Sequence, residues 1–110
     1  MMATMSELLA WRDENAVSVP WIVCGDFNAT PDSDVVQLLQ RAGFRASHAG
    51  QPKAATCNAN QRAKLIDYIF HNDGMKQESI PLIPVDDTTP LPGPGQASDH
   101  VPVIAEFDFV

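Results

Sequence analysis

The stretch that decides the fold of this chain is VCGDFN, residues 23–28. Its apolar and β-favouring residues continue from Trp21 and predict a strand over residues 21–27 that is covered on both faces. The strand ends in a glycine, a carboxylate and a carboxamide. Because side chains alternate across a strand, Asp26 and Asn28 are expected on one side and Phe27 on the other, where it can anchor this end in the core.

Two residues inside this strand carry their own expectations. Gly25 is expected where the backbone passes close to a neighbour or a ligand, since glycine has no Cβ. Cys24 lies in the apolar run and is expected to be a small buried residue, not a nucleophile.

The rest of the chain predicts a mixture of helices and strands. An amphipathic helix is expected over residues 6–16 with Ser6 as its N-cap, and a second helix is expected to be capped by Ser33 or Asp32 and to stop at Gly43. Further strands are predicted over residues 44–47, 65–70 and 101–109, residues 79–85 are at most a proline-interrupted edge strand, and residues 86–97 form a surface loop.

Length, charge and cysteine content restrict the class of protein. A chain of 110 residues predicts a single domain over residues 1–110, of which residues 1–19 are a helix and its connection. The net charge of −7 disfavours general attraction to a polyphosphate, so a phosphate-bearing partner would need a bound cation. Two cysteines without CxxC spacing, and no apolar run long enough to span a bilayer, favour an intracellular, cytoplasmic protein without a membrane span.

Three polar clusters interrupt or flank the apolar strands. Asp26 and Asn28 end one strand, Asp67 lies inside a second, and Asp99 and His100 precede a third. Each cluster has a structural alternative: turn formation for the first and third, and a buried ion pair for Asp67. If the three strands are neighbours, however, the clusters converge on one rim of the sheet, where a carboxylate can fix the tautomer and charge of the imidazole.

The chain contains three segments that resemble, in the same order, the three C-terminal motifs of the endonuclease/exonuclease/phosphatase superfamily. The segments are GDFNATPDS, LIDYIF and SDHVPVIAEF. The resemblance spans residues 20–110, and its wording is most similar to the branch that contains nocturnin and the poly(A) deadenylases. It implies a phosphodiesterase or phosphomonoesterase that depends on Mg²⁺ or Mn²⁺, with RNA or a nucleotide as the substrate.

The resemblance also implies a role for each polar residue. Asp26 corresponds to the aspartate that orients or deprotonates the attacking water, and Asn28 to the amide that contacts the scissile phosphate. His100 corresponds to the histidine that contacts the phosphate, and Asp67 to the carboxylate that holds that histidine. Asp99 is implied as a metal-site or second-site carboxylate, and Asp26 and Asn28 are implied as metal ligands. Hard cations favour such oxygen ligands.

The chain departs from the family in lacking its N-terminal motifs, including the principal metal-binding glutamate. The resemblance therefore implies an α/β (α+β) chain that forms the C-terminal half of a four-layer sandwich: one mostly antiparallel or mixed sheet with helices on one face. The exposed sheet face is expected to bind a second copy or the missing half. Alternatives are a catalytically incomplete remnant that acts as an interaction or assembly module, or an enzyme for DNA, sphingomyelin or a phosphoinositide.

Overall fold

The computed structural model describes residues 1–16 and 18–110, and Val17, in the connection predicted after the first helix, lies outside the described residues. The elements are, in chain order, α1 (Met2–Asn15), β1 (Ile22–Asp26), α2 (Asp34–Arg41), β2 (Arg45–Ala46), β3 (Asp67–His71), β4 (Met75–Ile80) and β5 (Ile104–Phe109), with a short 3₁₀ turn at Ala59–Gln61.

The strands pair in two antiparallel groups. One sheet has the order β1-β3-β2, and β4 pairs with β5 in a second ladder. The predicted α+β class with antiparallel pairing is confirmed, although the described strands are divided between two ladders and do not form one continuous sheet. Both helices contribute to the core on one side of β3.

The core forms around aromatic side chains of β3 and the segment after β1. Phe27 is buried and its ring lies 5.5 Å from that of Tyr68 and 5.3 Å from that of Phe70. Leu39 from α2 and Leu9 from α1 complete this cluster. The prediction that Phe27 anchors the end of the first strand is therefore confirmed.

The predicted ends of α2 are confirmed, whereas the predicted start of α1 is not. Ser33 caps α2, since its Oγ accepts a hydrogen bond from the Val36 amide, and Gly43 follows the helix with φ +92°, as a C-terminal stop requires. The predicted start of α1 is wrong: the helix begins at Met2, so Ser6 lies inside it and caps nothing. A serine can occupy the interior of a helix as well as its N-cap, so Ser6 does not mark the helix boundary.

The prediction that the first strand is buried on both faces is wrong. β1 lies at the edge of its sheet, Ile22 is 46% exposed, and Cys24 is exposed. Gly25 does not pass close to a neighbour among the described residues, because a Cβ there would meet nothing within 4 Å. Its φ of +150° is a conformation that side chains rarely adopt, so backbone geometry by itself favours glycine here.

The segment after β3 also differs from its prediction. The strand occupies Met75–Ile80, where burial alternates from residue to residue, and it ends just before Pro81. The predicted edge strand over residues 79–85 is therefore wrong beyond Ile80, since proline cannot donate to the ladder. The predicted loop over residues 86–97 contains no helix or strand.

One face of the β1–β3 pair is partly uncovered. Cys24 pairs with Ile69 and Ile22 with His71, so their side chains lie opposite the aromatic core. Ile22 and Cys24 are exposed and Ile69 is half-buried, which leaves an apolar surface open to solvent. Among the residues that the structure describes, no helix has the length and apolar character to cross a membrane.

Candidate active site

The site begins where β1 ends and β3 starts. Asp26 is the last residue of β1, Asp67 is the first of β3, and the antiparallel register places them opposite each other. Partners in such a register project to the same face of a sheet. Two carboxylates from distant parts of the sequence therefore share one rim, on the face opposite the aromatic core.

His100 joins this rim through a short hydrogen bond. Its Nδ1 lies 2.6 Å from Oδ2 of Asp67, and the two side chains are 29% and 14% exposed, so the imidazole N–H donates to a largely buried carboxylate. The hydrogen bond to Asp67 raises the pKa of His100, and this effect outweighs the burial that lowers it; the charges of Asp67, Asp26 and Asp99 act in the same upward direction. The pair thus holds a proton at a fixed atom and favours the imidazolium.

Asn28 is held next to Asp26 by the backbone. The Asn28 amide donates to Oδ1 of Asp26 at 2.8 Å, and Asn28 adopts φ +48°, a left-handed conformation that asparagine tolerates better than most residues. Both side chains are exposed. This turn leaves a carboxylate oxygen and a carboxamide facing solvent beside the pair formed by Asp67 and His100.

Asp99 lies at the outer edge of the site. Its carboxylate is 72% exposed, and Oδ1 lies 4.0 Å from Nε2 of His100. The Ser98 Oγ accepts a hydrogen bond from the His100 amide at 3.1 Å, which fixes the backbone between these residues. Asp99 is therefore close enough to act on the charge of His100 but remains free to bind a ligand from solvent.

Three of the predicted residues form a group that can hold a metal ion. Ligand atoms of Asp26, Asp67 and His100 lie within 4.8 Å of one another, and Asp99 is not part of that group. Nδ1 of His100 is occupied by Asp67, so the carboxylate oxygens are the donors best suited to a hard cation. The exposed and half-buried positions of Asp26 and Asp67 fit an ion that keeps part of its water shell.

Comparison with known proteins assigns the family. The model of the endonuclease/exonuclease/phosphatase family matches residues 2–100. The chain belongs to this family. No curated protein matches the chain in sequence. The family membership confirms the resemblance carried by the three motifs, two of which supply the carboxylates and one the histidine of the site.

A solved structure extends the agreement to the fold of the family. The human Nocturnin catalytic domain, solved with a bound sulfate anion, superposes with a TM-score of 0.62 at 20% sequence identity. The match covers 97% of this chain and 38% of the Nocturnin chain. This member of the endonuclease/exonuclease/phosphatase family thus shares the fold of one part of that domain and spans well under half of its length.

One residue next to the site was missed by sequence reasoning. Thr56 lies in the polar connection between β2 and β3, is completely buried, and accepts hydrogen bonds at Oγ1 from the amides of Ile66 and Asp67, at 3.2 and 3.3 Å. Its main-chain carbonyl accepts from the Val101 amide at 2.9 Å. No periodicity marks this threonine, because its importance arises from contacts between segments far apart in the sequence.

Proposed function

We propose that the chain provides the catalytic rim of a metal-dependent phosphodiesterase that acts on RNA or a nucleotide. The observation that carries this proposal is the convergence of Asp26, Asp67 and His100 on one edge of the sheet, with the 2.6 Å hydrogen bond between the last two. Family membership supports phosphoester hydrolysis as the reaction, and the motif resemblance supports RNA or a nucleotide as the substrate.

Each side chain has a task that its environment supports. His100, kept protonated by Asp67, presents Nε2 to solvent-facing space and can donate to a phosphate oxygen, where it stabilises charge that develops on the phosphoryl group. Asp26 is exposed and carries an oxygen that can accept a proton from an attacking water. Asn28, next to it, offers a carboxamide donor to the scissile phosphate.

A divalent cation completes the proposed chemistry. Asp26, Asp67 and the outer carboxylate of Asp99 would hold it, with Asn28 as a further oxygen ligand; when bound, Mg²⁺ or Mn²⁺ would neutralise phosphate charge. The chain has a net charge of −7, so its own side chains do not supply that neutralisation. Metal dependence is therefore an integral part of the proposal.

The proposal is tested by hydrolysis of bis(p-nitrophenyl) phosphate in the presence and absence of Mg²⁺. We expect turnover that Asp26→Asn and His100→Gln each lower by roughly a hundredfold or more, as loss of a general base or a charge-stabilising donor does. Asp73→Asn is the matched control, because it also removes one negative charge, from a carboxylate that is 92% exposed and forms an ion pair with Arg45. Equal turnover in the wild type and both site variants would contradict an active site here.

Substrate class is tested separately. An RNA oligonucleotide with a 3′ adenosine tail, a DNA oligonucleotide of the same sequence and a dinucleotide phosphate are incubated with the chain and Mg²⁺. Faster cleavage of the RNA or the dinucleotide than of the DNA supports the proposed class. Preference for DNA would leave the reaction intact and reject the substrate, and hydrolysis of sphingomyelin or a phosphoinositide instead would do the same.

A specific observation also supports an interaction role. The face formed by Ile22, Cys24 and Ile69 is apolar and open, and it leads directly to Asp26 and Asp67 through a shallow cleft of about 310 Å³. Contiguous exposed apolar surface of this kind marks a binding face. Because the chain matches 38% of the Nocturnin catalytic chain, we assign this face to a polypeptide that supplies the remaining part of the family domain.

Cys24 makes this assignment measurable. It is exposed on the apolar face, whereas Cys57 is buried, so a maleimide reagent should label one thiol quickly and the other slowly. The preceding part of a family domain, fused before Met1, is expected to protect Cys24. Protection that arises instead from raising the concentration of the chain alone would assign the face to a second copy. We also propose an intracellular compartment, since neither Cys24 nor Cys57 forms a disulfide.

A further inference from the structure

We propose that Thr56 is a positioning residue that holds Asp67, and through it His100, in the geometry of the site. The catalytic consequence rests on the function proposed above, but the positioning itself does not. Thr56 is completely buried although its side chain is polar, and it lies in a connection that contains no strand. A buried hydroxyl is stable only if it is hydrogen-bonded, so its partners indicate what it serves.

The hydroxyl acts on the start of β3. Oγ1 accepts from the amide of Asp67 at 3.3 Å and from the amide of Ile66 at 3.2 Å. Ile66 in turn uses its carbonyl to accept from the Phe27 amide at 2.9 Å, on the side of β1. Asp67 is thus fixed at its backbone from both sides: by the strand that carries Asp26, and by the Thr56 hydroxyl.

The backbone of the same segment acts on His100. The Thr56 carbonyl accepts from the Val101 amide at 2.9 Å, and Cys57 forms a β-bridge with His100. The Thr56 and Cys57 amides both donate to the Lys64 carbonyl, which ties the segment to the chain that leads into β3. One short segment therefore contacts the backbone of both partners of the 2.6 Å hydrogen bond between Asp67 and His100.

This arrangement separates the hydroxyl from the backbone contacts. Thr56→Val keeps the shape of the side chain and every main-chain contact, but it removes the acceptor of two buried amides. Thr56→Ser keeps the acceptor and loses only a methyl group. If the hydroxyl positions Asp67, the valine variant loosens the hydrogen bond to His100 and the serine variant retains it.

The readout is the tautomer of His100, measured from imidazole ¹⁵N chemical shifts at about pH 9, where an ordinary histidine is neutral. The resonances are assigned with His100→Gln. In the wild type, Asp67 should keep the proton on Nδ1, since that atom donates to its carboxylate. We expect the same state in Thr56→Ser and a shift of the population toward the Nε2–H form in Thr56→Val.

Ser33→Ala is the matched control. Its Oγ also accepts a hydrogen bond from a backbone amide, that of Val36, but at the start of α2 and outside the site. This variant should lose stability and leave the tautomer of His100 unchanged. A general loosening of the fold would instead shift the tautomer in both Ser33→Ala and Thr56→Val.

Two results would overturn the proposal: an unchanged Nδ1–H tautomer in folded Thr56→Val, or an equal loss of that tautomer in Thr56→Ser, which would assign the role to the methyl group. If Thr56→Val does not fold, amide hydrogen exchange of the wild type tests whether Thr56 holds the Asp67 amide. The Asp67 amide should exchange much more slowly than that of the exposed Asp99, and exchange at similar rates would show that the bond to Thr56 does not hold.

Activity gives an independent reading. Where phosphodiester hydrolysis is measurable, Thr56→Val should lower kcat by roughly tenfold or more with little change in KM, and Thr56→Ser should restore most of it. A fully inactive wild type contradicts the proposed function and leaves the tautomer to decide the role of Thr56. A change in KM alone, with kcat unchanged, would count against a positioning role.

Discussion

Asp67→Asn isolates the charge of the carboxylate that holds His100. Asparagine keeps the size of the side chain and an oxygen that can accept from Nδ1, but it removes the negative charge opposite the imidazolium. The structure makes this change consequential, because the two atoms lie 2.6 Å apart and neither side chain is more than 29% exposed. Solvent therefore screens this pair less than an ion pair on the open surface.

The expected loss follows from the kind of hydrogen bond. A bond to a charged partner contributes about 1.5–3 kcal/mol to folding and a neutral one about 1 kcal/mol, so the substitution should lower the free energy of unfolding by about 0.5–2 kcal/mol. For a domain of this size the midpoint of thermal unfolding should fall by on the order of 5 °C.

The pH dependence gives the sharper test. Because its partner raises the pKa of His100, the folded protein holds this proton more tightly than the unfolded chain does. The resulting stability is fully present below the ordinary pKa of about 6.5 and is lost as the pH rises through the folded value. The loss caused by Asp67→Asn should therefore be largest near about pH 6 and smaller near about pH 9, where removing a charge beside Asp26 also relieves repulsion.

Urea denaturation at these two pH values measures the effect, with Asp73→Asn as the control. Asp73 and Arg45 form an exposed pair, so its loss should change the free energy of unfolding by less than about 1 kcal/mol at either pH. A loss in Asp67→Asn that is as large at high pH as at low pH, or that equals the control at both, would refute the assignment of a charge-assisted bond between Asp67 and His100.

Three further predictions concern the fold. Leu39→Ala should lower the free energy of unfolding by roughly 2–5 kcal/mol in urea denaturation, since Leu39 is fully buried between α2 and the core; a loss below 1 kcal/mol would contradict that packing. Ser33→Ala should cost about 1 kcal/mol by the same method, whereas Ser6→Ala, inside α1, should cost nothing or stabilise slightly, because alanine is the better helix former. Burial lowers the pKa of His71, so the stability that its neutral imidazole contributes is fully present above about pH 6.5 and is lost as the pH falls. His71→Phe should therefore reduce the decrease of the free energy of unfolding on the acid side of a plot against pH. An unchanged decrease would exclude His71 as its cause.

The local patterns that predicted structure correctly are those whose physical cause is itself local. Ser33 caps α2 because a hydroxyl three residues before an amide can reach it, and Gly43 ends that helix because it tolerates positive φ. Phe27 was placed correctly for a similar reason: alternation along the chain decides which way a side chain points. These effects involve neighbours in sequence, so the sequence contains them.

The burial of β1 and the formation of β4 depend on which elements pack or pair with them. Local sequence patterns do not reveal these long-range contacts. An apolar run predicts cover on both faces, yet β1 lies at the edge of its sheet and Cys24 is exposed. β4, with exposed Lys76 and Glu78, has too little apolar content to be recognised alone. It becomes a strand because β5 pairs with it along its full length.

The site shows the same division at the level of single residues. Asp26, Asp67 and His100 could be found in sequence because each interrupts or flanks an apolar strand, where a polar residue is costly without a purpose. Thr56 could not be found, because threonine in a polar connection is ordinary and its two amide donors lie ten and eleven residues away in the chain. The residues proposed to react stand out from their surroundings, whereas the residue proposed to position them is visible only in the structure.

The charges on the rim connect the site to the apolar face beside it. Asp26, Asp67 and Asp99 bring three carboxylates to a place where His100 provides the compensating positive charge, so the rim remains negative even when the imidazole is protonated. Such a surface repels a phosphodiester until a cation is bound. The match covers 38% of the Nocturnin catalytic chain, and under the proposed function further ligands for that cation would come from a polypeptide docked on the face of Ile22 and Cys24, which leads to Asp26. Docking and metal binding should therefore be coupled, each strengthening the other by the same factor.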